Sequence, residues 1–359
     1  MAHVTHNVLL SYFQRLNLRT PPQPDETQPS EENDNDDDDR DDDHEQFHPS
    51  PVDIRVVQIM LSRSFKLPVD LVDAIFEDAE YWARSVSVID YQAAPGAHLI
   101  ISGSSATEDK FLLRSPPVGL TDVRAPDTTP EEPYSTHEVA PRVRRRDCDA
   151  AYFRKLPPYP TPRLVRPARK VIFTIRSHDQ GWGGGGGARG EYDGSWTWFE
   201  VGLERFDSTE TDALETSRDA NAEALLRTTI LPVRALRPLH PQVRPSGQGG
   251  DSGDDEAGED EYEYNHSLLP EPQWTIQRNL TAHGEIKEHT VVWSASDDVA
   301  PDSIDARDLE DKGRGSMTGN GSFVRGLEVG DVLTVWGKAR FPGWANHVDY
   351  LKMEVYWAV

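Results

Sequence analysis

Cysteine is almost absent from this chain: 359 residues hold one, Cys148. A single thiol excludes an intrachain disulfide framework and points to a reducing compartment, the cytoplasm or nucleus. Long apolar runs are missing too. None approaches the roughly 20 residues that cross a bilayer, and the opening MAHVTHNVLLSYFQRL lacks the basic start and long apolar core of a secretory signal. Basic residues are scarce against acidic ones, 37 to 62, for a formal net charge of -25. That balance disfavours nucleic acid and membrane as partners, because both present negative surfaces. Apolar residues make up only 36%, so a sizeable part of the chain is expected outside any core.

Glycine, aspartate and the aromatic residues carry what is distinctive. Lys170 to Phe206 reads KVIFTIRSHDQGWGGGGGARGEYDGSWTWFEVGLERF. Val171–Arg176 and Ser195–Leu203 hold the β-branched and aromatic types that suit a pleated, half-buried surface. The glycine-rich stretch between them is a loop, since each glycine costs extra backbone entropy to order. In the second run Trp196, Trp198 and Glu200 share one face, and Thr197, Phe199, Val201 and Leu203 the other. Large apolar groups on both faces predict a central, covered strand. Gly185, Gly187 and Gly190 satisfy G-x-G-x-x-G, but a strand follows where phosphate binding needs a helix N-terminus, so nucleotide binding is rejected.

Further strands are expected at His98–Ile101 and Lys110–Arg114, read as a hairpin, and at Trp274–Asn279, Glu288–Ser294, Phe323–Leu327, Val332–Ala339 and Val348–Val359. In Val332–Ala339, Thr334, Trp336 and Lys338 oppose Leu333, Val335 and Ala339. In the last run Leu351, Met353, Val355 and Trp357 oppose Lys352, Glu354 and Tyr356. A short helix is expected at Ile304–Lys312. Val69, Leu71, Val72, Ile75, Phe76, Ala79, Trp82 and Ala83 recur at helical spacing, with Pro68 at the first helical position; with Val52–Leu61 they predict a helical hairpin. Asp34–Asp43 is nearly all aspartate, and Arg142–Arg146 is a basic cluster that reads either as a nuclear localisation signal or as a partner for the acidic tracts.

The expected fold class is mainly β: an antiparallel, jelly-roll-like β-sandwich with a small N-terminal helical hairpin and long disordered acidic segments. The expected order is a disordered acidic tail over 1–50, the helical hairpin over 51–95 and the first half of the sandwich over 96–206. A disordered acidic and Pro-rich insertion over 207–272 and the second half over 273–359 complete it.

Two loops concentrate groups suited to recognition. Gln180 and Trp182 stand in one; Trp344, Asn346 and His347 stand within FPGWANHV in the other, with Arg340 just before it. Aromatic faces beside amide and charged groups suit sugar or peptide binding; the same tryptophans would equally cap the ends of the core. His178, Asp179 and His347 are the acid–base candidates, but no nucleophile or second carboxylate is placed with them. Asp179 and Gln180 suit turn amides better. Metal sites need three or four ligands at telling spacing, so neither metal nor cofactor is expected.

The segment LPVDLVDAIFEDAEYWA, Leu67–Ala83, resembles the opening of an F-box, in which a Leu-Pro pair leads into a helix with Leu and Ile on one side. The resemblance implies docking of Leu67, Pro68, Leu71, Val72 and Ile75 to a ubiquitin-ligase adaptor; the other reading is a helix packed on its own domain. RSHDQGWGG, GEYDGSWTWFE, EHTVVW, GRGSMTGNGSFVRGLEVGDVLTVWGKARFPGWANHV and VYWAV resemble a domain of uncharacterised fungal proteins, which is similar to galactose-binding-like β-sandwiches. That resemblance covers 160–206 and 273–359 and implies a jelly-roll-like fold rather than an activity. The leading expectation is a non-enzymatic adaptor with protein partners. A module binding a glycan or glycoprotein is the alternative, and a hydrolase the third.

Overall fold

The computed structural model describes residues 47–93, 99–104, 106–120, 162–183, 189–206, 236–245 and 262–359. They belong to a unit spanning Phe47–Val359. The acidic tail before Phe47, the basic cluster Arg142–Arg146 and most of the 207–272 insertion lie outside the described residues.

Two antiparallel sheets form the sandwich. The first orders β1 (Ala83–Asp90), β12 (Ala345–Trp357), β4 (Ala168–His178) and β10 (Lys287–Ser294), with β2 (Leu99–Ser102) also paired to β12. The second orders β3 (Asp109–Arg114), β11 (Val332–Ala339), β5 (Thr197–Phe206) and β6 (Leu236–His240), with β9 (Thr275–Arg278) also paired to β5. A separate ribbon pairs β7 (Gln242–Pro245) with β8 (Tyr262–Asn265).

Alternation along the strands builds the core. Val171, Phe173 and Ile175 of β4, Leu351, Met353, Val355 and Trp357 of β12, and Val291 and Trp293 of β10 face Phe199, Val201, Leu333, Val335 and Ala339 of the second sheet in one buried apolar cluster. Phe173 meets Trp293 edge to face at 5.2 Å. Apolar burial of this kind contributes on the order of 2 kcal/mol per large side chain.

Helices cap one end. Ser50 and Asp53 form a reciprocal capping box that starts α1 (Pro51–Ile59). A wide π turn, Met60–Ser64, leads on, and α2 (Val69–Asp78) follows with Pro68 as its N-cap rather than its first helical residue. Ile54, Val72 and Phe76 anchor the pair in the core. Glu77 pairs with Arg169 at 2.6 Å and Glu80 pairs with Lys170, tying the helices to β4.

Three expectations need correction. The helical hairpin stops at Asp78: Glu80 has positive φ and ARSVSVID then alternates as β1, so Ala83 opens a strand and Trp82 lies in the connection before it. β2 and β3 exist but are not a hairpin; β2 pairs with β12 and β3 with β11, so the chain crosses between sheets. β4 and β5 stand in different sheets of the sandwich. Phe323–Leu327 is not a strand: α4 (Ser322–Gly326) starts after the left-handed Gly321, while α3 (Ile304–Asp311) forms as expected.

The 207–272 insertion also contributes structure, as β6, β7 and β8. This explains β11, all eight of whose residues are buried although Lys338, Thr334 and Trp336 turn away from the core. Residues 236–245 and 262–274 form a strap over that outer face. Tyr264 and His266 lie with ring centroids 5.1 and 4.7 Å from Trp336. Gly202 gives the strap its close approach, for a Cβ there would stand 2.8 Å from the His240 carbonyl.

Candidate functional site

At the end of the sandwich opposite no helix pair is needed to hold the loops, because their own side chains do so. Asp179 accepts hydrogen bonds from the backbone N–H groups of Gly181 and His283, both at 2.8 Å, and of Ala282 at 2.5 Å. Burial raises its pKa, and these three donors oppose the shift. Its carboxylate is therefore a turn organiser. Gln180 accepts from the Ala345 N–H at 3.2 Å and donates to the Trp182 carbonyl at 2.8 Å. Trp182 is 65% exposed, with the half-buried Trp344 in the neighbouring turn. His347 lies opposite His178 in the β12–β4 register, and their rings stack at 4.4 Å.

Arg340 and Asn346 do not join them. Arg340 is buried, donating to Asp109 at 2.7 Å and to the Ser267 carbonyl at 2.8 Å, and it lies over Trp198 at 5.2 Å. Asn346 donates to the Trp198 and Lys338 carbonyls, both at 3.2 Å, and accepts from Asn279 at 2.9 Å. The six residues read together from the sequence thus divide into a surface group of four and two buried residues, Arg340 beneath Ser267 and Asn346 between the sheets.

Under the strap lies a layer of buried charge. Lys338 has 0% side-chain exposure, and its ammonium lies 2.8 Å from Asp109, 3.3 Å from Glu200 and 2.6 Å from His266 Nδ1. Glu200 also accepts from the Trp198 indole at 2.7 Å. Burial works against an ionised Asp109, but the Lys338 ammonium and the Arg340 guanidinium beside it outweigh that and hold its pKa below the ordinary value. Farther along the sheet Glu204 pairs with Arg114 at 3.2 Å; burial pushes its pKa to about 7 against the pull of that arginine. Burial, then the Lys338 charge, lowers His240 and His266 to about 3. Both rings are neutral, so the 3.8 Å approach of His266 to Asp109 is not an ion pair.

Beside this layer the strap leaves a recess of about 530 Å³, lined by Leu239, His240, Gln242, Asn265, His266, Ser267, Glu271, Gln273 and Trp274. His240 and Trp274 stack with centroids 4.2 Å apart. Burial, with Glu200 nearby, raises the pKa of Glu271. Amides, a hydroxyl, a carboxyl and two neutral imidazoles line one concavity with Leu239 and the Trp274 ring, a more polar wall than the mainly apolar lining of most small-ligand sites. Among the described residues no group of three His, Cys, Asp or Glu side chains is placed to hold a metal ion.

Sequence reading missed this recess because its residues sit in the segment whose composition looked unstructured. The usable signal was Lys338 and Glu200 on the outer faces of strongly apolar strands: buried charges there need a polar cover. EYEYNHSLLPEPQW, with its tyrosines, histidine and tryptophan, was the stretch able to supply one.

The residues expected to bind a partner are also divided. Val72 is fully buried, while Leu67 and Ile75 are partly buried against the core. Leu71 is 47% exposed, and Pro68 lies on the surface. No helix among the described residues is long and apolar enough to cross a membrane. No family model, curated protein or solved structure matches the chain.

Proposed function

We propose that the chain is a non-enzymatic binding module whose recess takes a small, hydroxyl-rich ligand of the saccharide class. The observation that carries this reading is the convergence of Gln242, Asn265, Gln273 and Glu271 with Trp274 around one 530 Å³ concavity. A sugar hydroxyl both donates and accepts, as does a side-chain amide, whereas a carboxylate only accepts. Leu239 and Trp274 offer apolar surface to the C–H face of such a ligand. Lys338 and Arg340 are already engaged with Asp109, so the recess has little attraction for an anion. A cytoplasmic or nuclear site of action agrees with the single cysteine.

The test is a glycan array probed with the full chain, followed by ligand-observed NMR on any hit. The combined variant Gln242→Ala, Asn265→Ala, Gln273→Ala alters exposed side chains, so its stability is expected to change by under about 1.5 kcal/mol in all. Binding is expected to fall at least tenfold. A blank array would contradict the reading. Binding that survives the triple change but disappears with Trp182→Ala would place the site on the end loops instead.

A second reading, a protein adaptor, is favoured by the helical cap, where Val52, Val56, Ile59, Met60, Phe65, Val69 and Leu71 are exposed. Exposed apolar clusters mark interaction surfaces. The partner suggested by the F-box-like segment, a ubiquitin-ligase adaptor, would have to engage Pro68 and Leu71 rather than Val72.

A further inference from the structure

We infer that Lys338 is a positioning residue for the recess: it fixes His266 as the Nε2–H tautomer, so that this wall presents a donor and selects a ligand group that accepts. The inference rests on the recess as the ligand site, but it concerns which chemistry that site admits at one position.

The hydrogen-bond inventory forces the tautomer. An ammonium has three donors and no acceptor, and Lys338 Nζ lies 2.6 Å from His266 Nδ1. Nδ1 must therefore accept, and in a neutral imidazole the proton then resides on Nε2. The alternative, a neutral lysine accepting from a histidinium, places the charge on the wrong group. Lys338 has carboxylates at 2.8 and 3.3 Å, whereas the Nδ1 of His266 has one at 3.8 Å. The low pKa of His266, set by burial and by the lysine charge, agrees. Trp336 packs edge to face on the ring at 4.7 Å and Tyr264 approaches at 6.0 Å, so the imidazole is held against rotation. Because Nδ1 is directed at Lys338, the Nε2–H points away from it. A hydroxyl or carbonyl oxygen can accept that hydrogen; an ammonium or amide N–H would meet it head on.

Long-range ¹H–¹⁵N spectra of the full chain labelled at histidine read the tautomer without any ligand. The expected result is a static Nε2–H pattern for His266 from pH 8 down to 5. An Nδ1–H pattern, or the averaged pattern of an exchanging ring, would overturn the inference, and the wild-type protein alone decides this. Lys338→Arg, which also only donates, is expected to keep the pattern, and Lys338→Met to lose it. Two probes then test selection. Dimethyl sulfoxide, which only accepts, is expected to shift the Nε2 resonance, and methylammonium, which only donates, to leave it in place; the reverse would overturn the inference. A failed glycan array with the tautomer intact would remove the saccharide reading and leave the role of Lys338 standing.

Discussion

Replacing Lys338 with methionine is expected to lower the unfolding free energy by about 3–5 kcal/mol, the range for removing one partner from a buried ion pair. Methionine fills nearly the same space, so little of the loss is packing. The cost is electrostatic. Asp109 keeps Arg340 at 2.7 Å, but Glu200 keeps only the Trp198 indole N–H, also at 2.7 Å. A carboxylate that is 2% exposed is then left without a cation. Adding Glu200→Gln removes that orphan charge, and the double variant is expected to be more stable than Lys338→Met alone, a coupling that contact residues show. Urea titrations read both effects as shifts of midpoint at a constant m-value. A loss below about 1 kcal/mol, the size of an exposed pair, would mean that Lys338 is in contact with water.

Stability is expected to fall steeply as pH drops from 6 to 5. His240 and His266, lowered to about 3, and His289, lowered to about 4 chiefly by burial, are neutral in the fold. Unfolding returns each to its ordinary value of 6.5, where it takes up a proton. A folded pKa below the unfolded one means stability present above pH 6.5 and lost on acidification. Glu204 has the opposite sign: raised from 4.5 to about 7, it favours the fold at low pH and loses that contribution as pH rises. Three histidines against one carboxyl leave a net uptake of about one to two protons on unfolding in this window, a slope of about 2 kcal/mol per pH unit. Asp179, Asp331 and Glu271 are raised as well and flatten the curve at its acid end. Urea midpoints at pH 7, 6 and 5 check the sign. Stability that is flat or rising toward pH 5 would contradict the neutral burial of these rings.

The parts of the fold that sequence revealed are those where one strand carries its own signal. Val332–Ala339 was read to the residue, and the inward set Leu351, Met353, Val355 and Trp357 was read correctly, because period-2 alternation is local. Pairing is not local. β2 and β3 are separated by six residues, a spacing that suits a hairpin, yet Ile101 and Leu112 both enter the core cluster from opposite sheets. Five residues such as FVRGL alternate too briefly to separate a strand from the helical turn that Gly321 starts. Asp179 was anticipated as a turn organiser because short carboxylates meet loop amides as a rule. Arg340 and Asn346 were misplaced for a different reason: polar residues beside an exposed turn look like site residues, while Arg340 is buried against Asp109 and the Ser267 carbonyl and Asn346 is buried between the sheets. The recess escaped notice because it depends on a strap whose strands, β6 to β8, are short and polar, and whose order comes from the sheet beneath it.

That strap is the central claim, and hydroxyl-radical footprinting of the tryptophans in the full chain tests it most directly. Trp198 is 0% and Trp336 4% exposed although both face away from the apolar core, whereas Trp182 is 65% exposed. The account predicts that Trp198 and Trp336 are protected as well as the core residue Trp293, while Trp182 is labelled readily. Labelling of Trp336 at the rate of Trp182 would contradict it, for the outer face of the second sheet would then be open to water.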